Sequence, residues 1–199
     1  MIDRDRFFPA ARAGAFGGRI TQGQVDGINA ILDAWEKREN TDLRHLAYEL
    51  GTAKIETAHT MQPVHEYGGP AYFRRMYDIE GERPAKAREL GNLTPGDGIK
   101  YAGRGYVQLT GRTNYRNMGE LLGLPLEAEP DLALQPEHAA AIMFEGMERG
   151  IFTGRKLAHY FTARGADWVG ARWIINGQDR AGEIADLARA FYVALDGAR

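Results

Sequence analysis

A mainly helical protein with one short β element is the fold class this sequence predicts. Apolar residues recur at helical intervals over most of the chain. One stretch, residues 96–110, reads instead as a small β element with bends that glycine permits. The 199 residues, 44% of them hydrophobic, suit a single catalytic-sized domain spanning 1–199 with a substantial core.

In chain order, residues 1–20 predict a short helix and then a turn rich in glycine (Gly14, Gly17, Gly18). Thr21 and Gln24 have capping-box spacing, and Val25, Ile28, Leu32 and Trp35 continue at helical intervals, so a helix is expected near 22–38. Asn40-Thr41-Asp42 supplies a turn and an N-cap for the next helix, about 42–58. Its stripe is Leu43, Leu46, Leu50 and Ala53, with Glu49 and Glu56 together at the edge. From Met61 to Pro95 prolines and glycines break the pattern around an aromatic cluster of Tyr67, Tyr72, Phe73 and Tyr77. That segment reads as a long loop. Further helices are expected near 112–123, 137–150, 156–161, 166–176 and 181–195. There is no internal repeat.

Composition removes several function classes. The formal net charge is −2, which points to neither nucleic acid nor an anionic membrane as partner. Locally, residues 99–118 carry Lys100, Arg104, Arg112 and Arg116 with no acid, the pattern of a positive wall or a solvated face. The absence of cysteine excludes disulfides, thiol nucleophiles and Cys-ligated zinc, and the absence of serine excludes the serine hydrolases. No stretch is long and apolar enough to span a bilayer, and the N-terminus has no signal-peptide run. Asn92-Leu93-Thr94 fits a glycosylation sequon, of little meaning without secretion. His59 and His65 are too loosely spaced to predict a zinc site, so a zinc amidase is a weak rival.

What remains is a pair of carboxylic acids, Glu56 and Glu66, at a helix end and in the loop after it. Two facing carboxyls suffice to break a glycosidic bond, and part-burial of Glu56 would suit it to give up a proton. Aromatic rings nearby suit the apolar faces of sugars, although each ring singly is more often a loop anchor. Glu80 and Glu82 are rival second carboxylates in the same loop.

Downstream motifs give the pair its context. Tyr101-Ala-Gly-Arg-Gly-Tyr-Val-Gln-Leu-Thr-Gly-Arg-Thr-Asn-Tyr115 resembles the signature of glycoside hydrolase family 19, which spans plant-type chitinases and many phage endolysins. Glu56-Thr57 resembles its His-Glu-Thr/Ser element, with Ile55 in place of the histidine. Glu129-Pro130-Asp131-Leu132 and Trp173-Ile-Ile-Asn-Gly177 resemble two further family segments. The resemblance implies a lysozyme-like, two-lobed helical fold with a small β-hairpin beside the cleft. It implies an inverting, cofactor-free glycosidase with Glu56 as general acid, Glu66 activating water and Thr110 holding that water. Gln108, Asn114 and Asn176 would bind the sugar, and Tyr115 and Tyr67 are expected at the substrate as well. Arg104 is expected in a structural ion pair. The leading expectation is a monomeric phage or prophage endolysin. It would wait in the bacterial cytoplasm and then cut the β-1,4 bond of peptidoglycan, without nucleic acid, metal or stable membrane insertion. The alternatives are a chitinase and an inactive glycan-binding protein of the same fold.

Overall fold

The computed structural model describes residues 1–175 and 177–199. The described residues form α1 (Arg4–Ala13), α2 (Gln22–Trp35), α3 (Leu43–Glu56), β1 (Val64–His65), α4 (Pro70–Tyr77), α5 (Pro84–Glu89), α6 (Asp97–Lys100), β2 (Arg104–Gly105), α7 (Arg112–Leu122), α8 (Pro136–Arg149), β3 (Phe161–Thr162), β4 (Gly165–Ala166) and α9 (Ala181–Asp196). Short 3-10 turns cover Pro130–Leu134, Leu157–His159 and Gly170–Ile174. The chain divides into two compact units, one of residues 1–62 and 143–199, the other of residues 63–142. No helix among the described residues is long and apolar enough to cross a membrane.

In the first unit α3 packs most extensively on α9. Leu46, Leu50 and Ala53 of α3 and Ile184, Ala188, Phe191 and Leu195 of α9 are all buried. Gly51 permits the close approach, since a Cβ there would lie 3.0 Å from the Ala188 nitrogen. The capping box of α2 is complete, with Thr21 Oγ1 accepting from the Gln24 amide and the Gln24 side chain accepting from the Thr21 amide. Asp42 caps α3 by accepting from the Arg44 amide.

The second unit holds the first strand pair. Val64 pairs with Gly105 and His65 with Arg104, antiparallel. The β element of residues 96–110 is therefore shorter than the sequence predicts. Residues 97–100 are helical, and the turn from Arg104 to Leu109 closes on itself through two backbone hydrogen bonds. The supposed loop of 61–95 contains α4 and α5. Pro70 and Pro84, read as interruptions, each stand in the first turn of a helix, where proline lacks no needed donor. In the first unit the helices expected near 156–161 and 166–176 are 3-10 turns flanking a second antiparallel pair, β3 with β4.

Glu49 also departs from expectation. It is fully buried, and neither carboxylate oxygen has a hydrogen-bond partner among the described residues. Two of the four cations in the positive stretch are paired. Arg104 pairs with Asp131 at 2.8 Å, and Arg112 with Asp97 at 2.7 Å and Glu127 at 3.7 Å. These acids lie outside the window 99–118, so a local charge count cannot see them.

Candidate active site

Glu56 is the last residue of α3, in the first unit. The next five residues fix where the helix stops. Thr57 is buried, its Oγ1 donating to the Ala53 carbonyl at 2.7 Å and accepting from the Met61 amide at 3.1 Å. Ala58, His59 and Met61 all adopt positive φ, a costly run for residues with side chains. Packing against α2 holds it: a Cβ on Gly27 would fall 1.7 Å from the Met61 carbonyl oxygen, so only glycine fits. The Glu56 side chain is 18% exposed, and its Oε1 accepts from an Arg172 guanidinium nitrogen at 2.6 Å. Arg172 is buried and is itself fixed by donating Nε–H to the Asp179 carbonyl at 3.0 Å. The guanidinium thus holds one oxygen of Glu56 and sets the orientation of the carboxyl. Nothing in local sequence spacing announces Arg172, which lies 116 residues away.

Glu66 comes directly after β1 in the second unit, its amide donating to the Gly103 carbonyl at 2.8 Å. Oε1 accepts from the Tyr77 hydroxyl at 2.7 Å and Oε2 from the Gly103 amide at 3.2 Å. Burial pushes the Tyr77 phenol upward, and its hydrogen bond to Glu66 adds to this, so the hydroxyl remains a donor. Gly103 is the meeting point of three side chains. A Cβ there would lie 2.8 Å from Gln108 Oε1 and 3.1 Å from both Glu66 Oε2 and Thr110 Oγ1. Gln108 adopts φ +55° and donates Nε2–H to the Val64 and Gly105 carbonyls, each at 3.2 Å. Its amide oxygen is thereby left to accept. Thr110 Oγ1 donates to the Gln108 carbonyl at 2.8 Å, which leaves its lone pairs to accept. Three acceptor oxygens therefore crowd the bare face of Gly103, and a small donor such as water suits the space they border. One of them, a carboxylate, is able to take a proton from it.

The other expected site residues divide. Asn114 is half-buried and donates to the Thr110 carbonyl at 2.7 Å, so it braces the same turn. Tyr67 is 71% exposed, open to a ligand. Tyr115 is not a surface residue. It is fully buried, with its hydroxyl donating to the Ala102 carbonyl at 2.9 Å and accepting from Arg104 at 3.1 Å. Burial pushes its phenol up to about 12. Its role is to seat the buried Arg104, so the substrate contact expected of it is corrected. Asn176 lies outside the described residues. Phe73 is buried and stacked on Tyr77, so part of the aromatic cluster is core. Glu80 and Glu82 flank α4 with Arg74 and Arg75, whereas Glu66 is the acid gathered with Gln108 and Thr110. Among the described residues no group of three or more His, Asp or Glu is placed to hold a metal ion.

The sequence shows Asn92 as part of a sequon and gives no sign of its place in the fold. Asn92 is fully buried, its Nδ2 donating to the Tyr77 carbonyl and its Oδ1 accepting from the Arg112 amide, both at 2.9 Å. It ties the end of α4, and so Tyr77, to the start of α7. Both of its partners are distant in sequence, 15 and 20 residues away, so local spacing carries no signal of them.

This mainly helical framework with its short antiparallel pairs is the fold of the family 19 chitinases. Chitinase C from Streptomyces griseus HUT6037 superposes with a TM-score of 0.62 at 20% identity, over 94% of this chain and 75% of that one. A bacterial family 19 chitinase, described as differing from plant enzymes, superposes with a TM-score of 0.56 at 21% identity, over 94% of this chain and 93% of that one. No family model and no curated protein matches the chain.

Proposed function

We infer that this chain is an inverting glycoside hydrolase that cuts the β-1,4 bonds of peptidoglycan glycan strands and serves as an endolysin. The observation that carries the reading is the dressing of Glu66. Two donors hold its carboxylate, and Gln108 and Thr110 bring acceptor oxygens beside it around Gly103. A water bordered by these oxygens donates one proton toward Glu66 and keeps a lone pair for the anomeric carbon. Glu56, oriented by Arg172, supplies a proton to the departing glycosidic oxygen. The sum is one water added across the bond, with one proton passing from Glu56 to the leaving sugar and one from water to Glu66. The whole chain serves as one catalytic domain in this reading. A cysteine-free chain suits an enzyme that folds in a reducing cytoplasm before it meets the wall.

The second reading is a chitinase, favoured by the likeness of fold to chitinases. Release of reducing ends from purified peptidoglycan and from chitin oligomers separates the two, and activity on chitin alone overturns the endolysin reading. Glu56→Gln and Glu66→Gln are each expected to lower kcat by at least about a hundredfold on either polymer. Glu80→Gln and Glu82→Gln are expected to stay within about twofold on peptide-free glycan strands. Full activity in Glu66→Gln would move the base elsewhere.

A further inference from the structure

The second unit carries a groove of about 640 Å³ that the glycosidase chemistry does not use. Arg74 and Arg75 of α4 line it together with Glu80 and Glu82 of the turn that follows, and Ala71 and Ile99 add apolar surface. The turn is folded tightly onto the helix. A Cβ on Gly81 would fall 2.3 Å from the Arg74 carbonyl oxygen and 2.5 Å from that of Arg75, and the Glu82 amide donates to the Arg75 carbonyl at 2.8 Å. Glycine is therefore needed for the turn that carries the two acids to lie against the helix that carries the two guanidiniums.

These charges do not cancel one another. The nearest approach is Arg75 Nε to Glu82 Oε2 at 4.0 Å, with the side chains 54% and 73% exposed. Arg74 and Glu80 have no ion pair among the described residues. Arg75 is steadied by the Tyr72 ring, 5.9 Å from its guanidinium carbon. A neutral aminosugar polymer offers hydroxyls and acetamides and calls for no such groove. A ligand with carboxylates and an ammonium group on one short chain does, because guanidinium pairs with carboxylate and glutamate with ammonium. Peptidoglycan has that chain, the short peptide carried on the lactyl group of alternate sugars.

The groove and the Glu66 site share helix α4. Tyr77, which donates to Glu66, ends the helix that bears Arg74 and Arg75. Arg74 lies three residues earlier, about 4.5 Å along the axis. A four-residue peptide extends to roughly 13–14 Å. We propose that this groove receives the peptide stem of the substrate, with Arg74 and Arg75 on its carboxylates and Glu80 and Glu82 on its ammonium. The proposal rests on the peptidoglycan reading and makes this face the part of the enzyme that tells wall glycan from chitin.

The test uses the full chain and one wall preparation, half of it stripped of peptides by an amidase. Parent enzyme is expected to show a kcat/KM at least about tenfold higher on peptide-bearing strands. Arg74→Ala/Arg75→Ala should lose that advantage through KM and stay within about twofold of the parent on stripped strands. Arg74→Gln/Arg75→Gln, which keeps the side-chain stems, should behave likewise, and salt should erode the preference of the parent. Equal parent activity on the two strand preparations overturns this proposal and leaves the peptidoglycan reading standing. So does an equal fall of both variants on both. A parent that cuts chitin oligomers and neither wall preparation overturns both readings.

Discussion

Gly103 contributes to the candidate site by lacking a side chain. Its amide donates to Glu66, and the face where a Cβ would stand is ringed by the oxygens of Glu66, Gln108 and Thr110. Gly103→Ala would press a methyl group against the three oxygens, 2.8 Å from Gln108 Oε1 and 3.1 Å from the other two, and push them out of place. The expected outcome is a fall in kcat of about a hundredfold or more, comparable to losing a catalytic contact, with circular dichroism and melting temperature little changed. Parent-like turnover in that variant would remove the water-holding role from this cluster. Gln108 and Thr110 stood out in the sequence because the Gly-Arg-Gly to Asn-Tyr block is contiguous, whereas Glu66 lies outside that block and stood beside the rivals Glu80 and Glu82. Arg172 and Tyr77 did not stand out as partners, because each meets its glutamate through tertiary structure alone. Tyr115 belongs to the same block yet points inward, and a motif match cannot say which members bind and which brace.

At the scale of the element, α3 carries two glutamates with opposite fates. Helical periodicity sets Glu49 and Glu56 on one edge, and the neighbours of that edge differ along the helix. Glu56 at the last turn keeps some exposure, while Glu49 is enclosed near Arg38, Glu145 and Glu148. Arg38 is engaged by Glu145 and Glu148, at 2.8 and 2.6 Å. Burial raises the Glu49 carboxyl well above its ordinary value, and Glu148 adds to this while Arg38 opposes it. The group is therefore protonated in the folded state over a range where the unfolded chain has ionised it. Below about pH 4.3 both states hold the proton and there is no penalty. As pH rises, stability is lost by up to about 1.4 kcal/mol per pH unit until the buried group itself ionises. Glu49→Gln keeps the shape and cannot ionise. Urea unfolding from pH 4 to 8 is expected to show the variant gaining on the parent as pH rises, and parallel curves would contradict this. The prolines of α4 and α5 teach the related lesson that a breaker inside a helix and a starter at its first turn look alike in a sequence.

For the whole molecule, the helical class was legible because long amphipathic periods survive any error at their ends. A small β element over 96–110 was legible and holds β2, but its partner β1 and the pair β3–β4 were not, because each strand spans only two residues and its partner is set by folding. The proposed mechanism makes a prediction about the entire reaction. An inverting hydrolysis of a β bond releases the α-anomer first. Proton NMR of the new reducing ends, recorded before mutarotation, is expected to show that anomer in excess. Initial β product would mean a retaining route and a different use of the two carboxyls.

The buried Asn92 has a consequence for how the protein can be made. Asn92-Leu93-Thr94 is read by the oligosaccharyl transferase of a eukaryotic secretory pathway while the chain is still unfolded. A glycan on Nδ2 would take the place of the hydrogen bond to Tyr77 and could not be enclosed where that side chain sits. Yeast or mammalian secretion is thus expected to yield a modified fraction that misfolds and is retained. Thr94→Ala, at an exposed position, should restore the yield by erasing the acceptor signal. Equal secretion of the glycosylated and unmodified forms, both active, would show that Asn92 is dispensable to the packing around Tyr77.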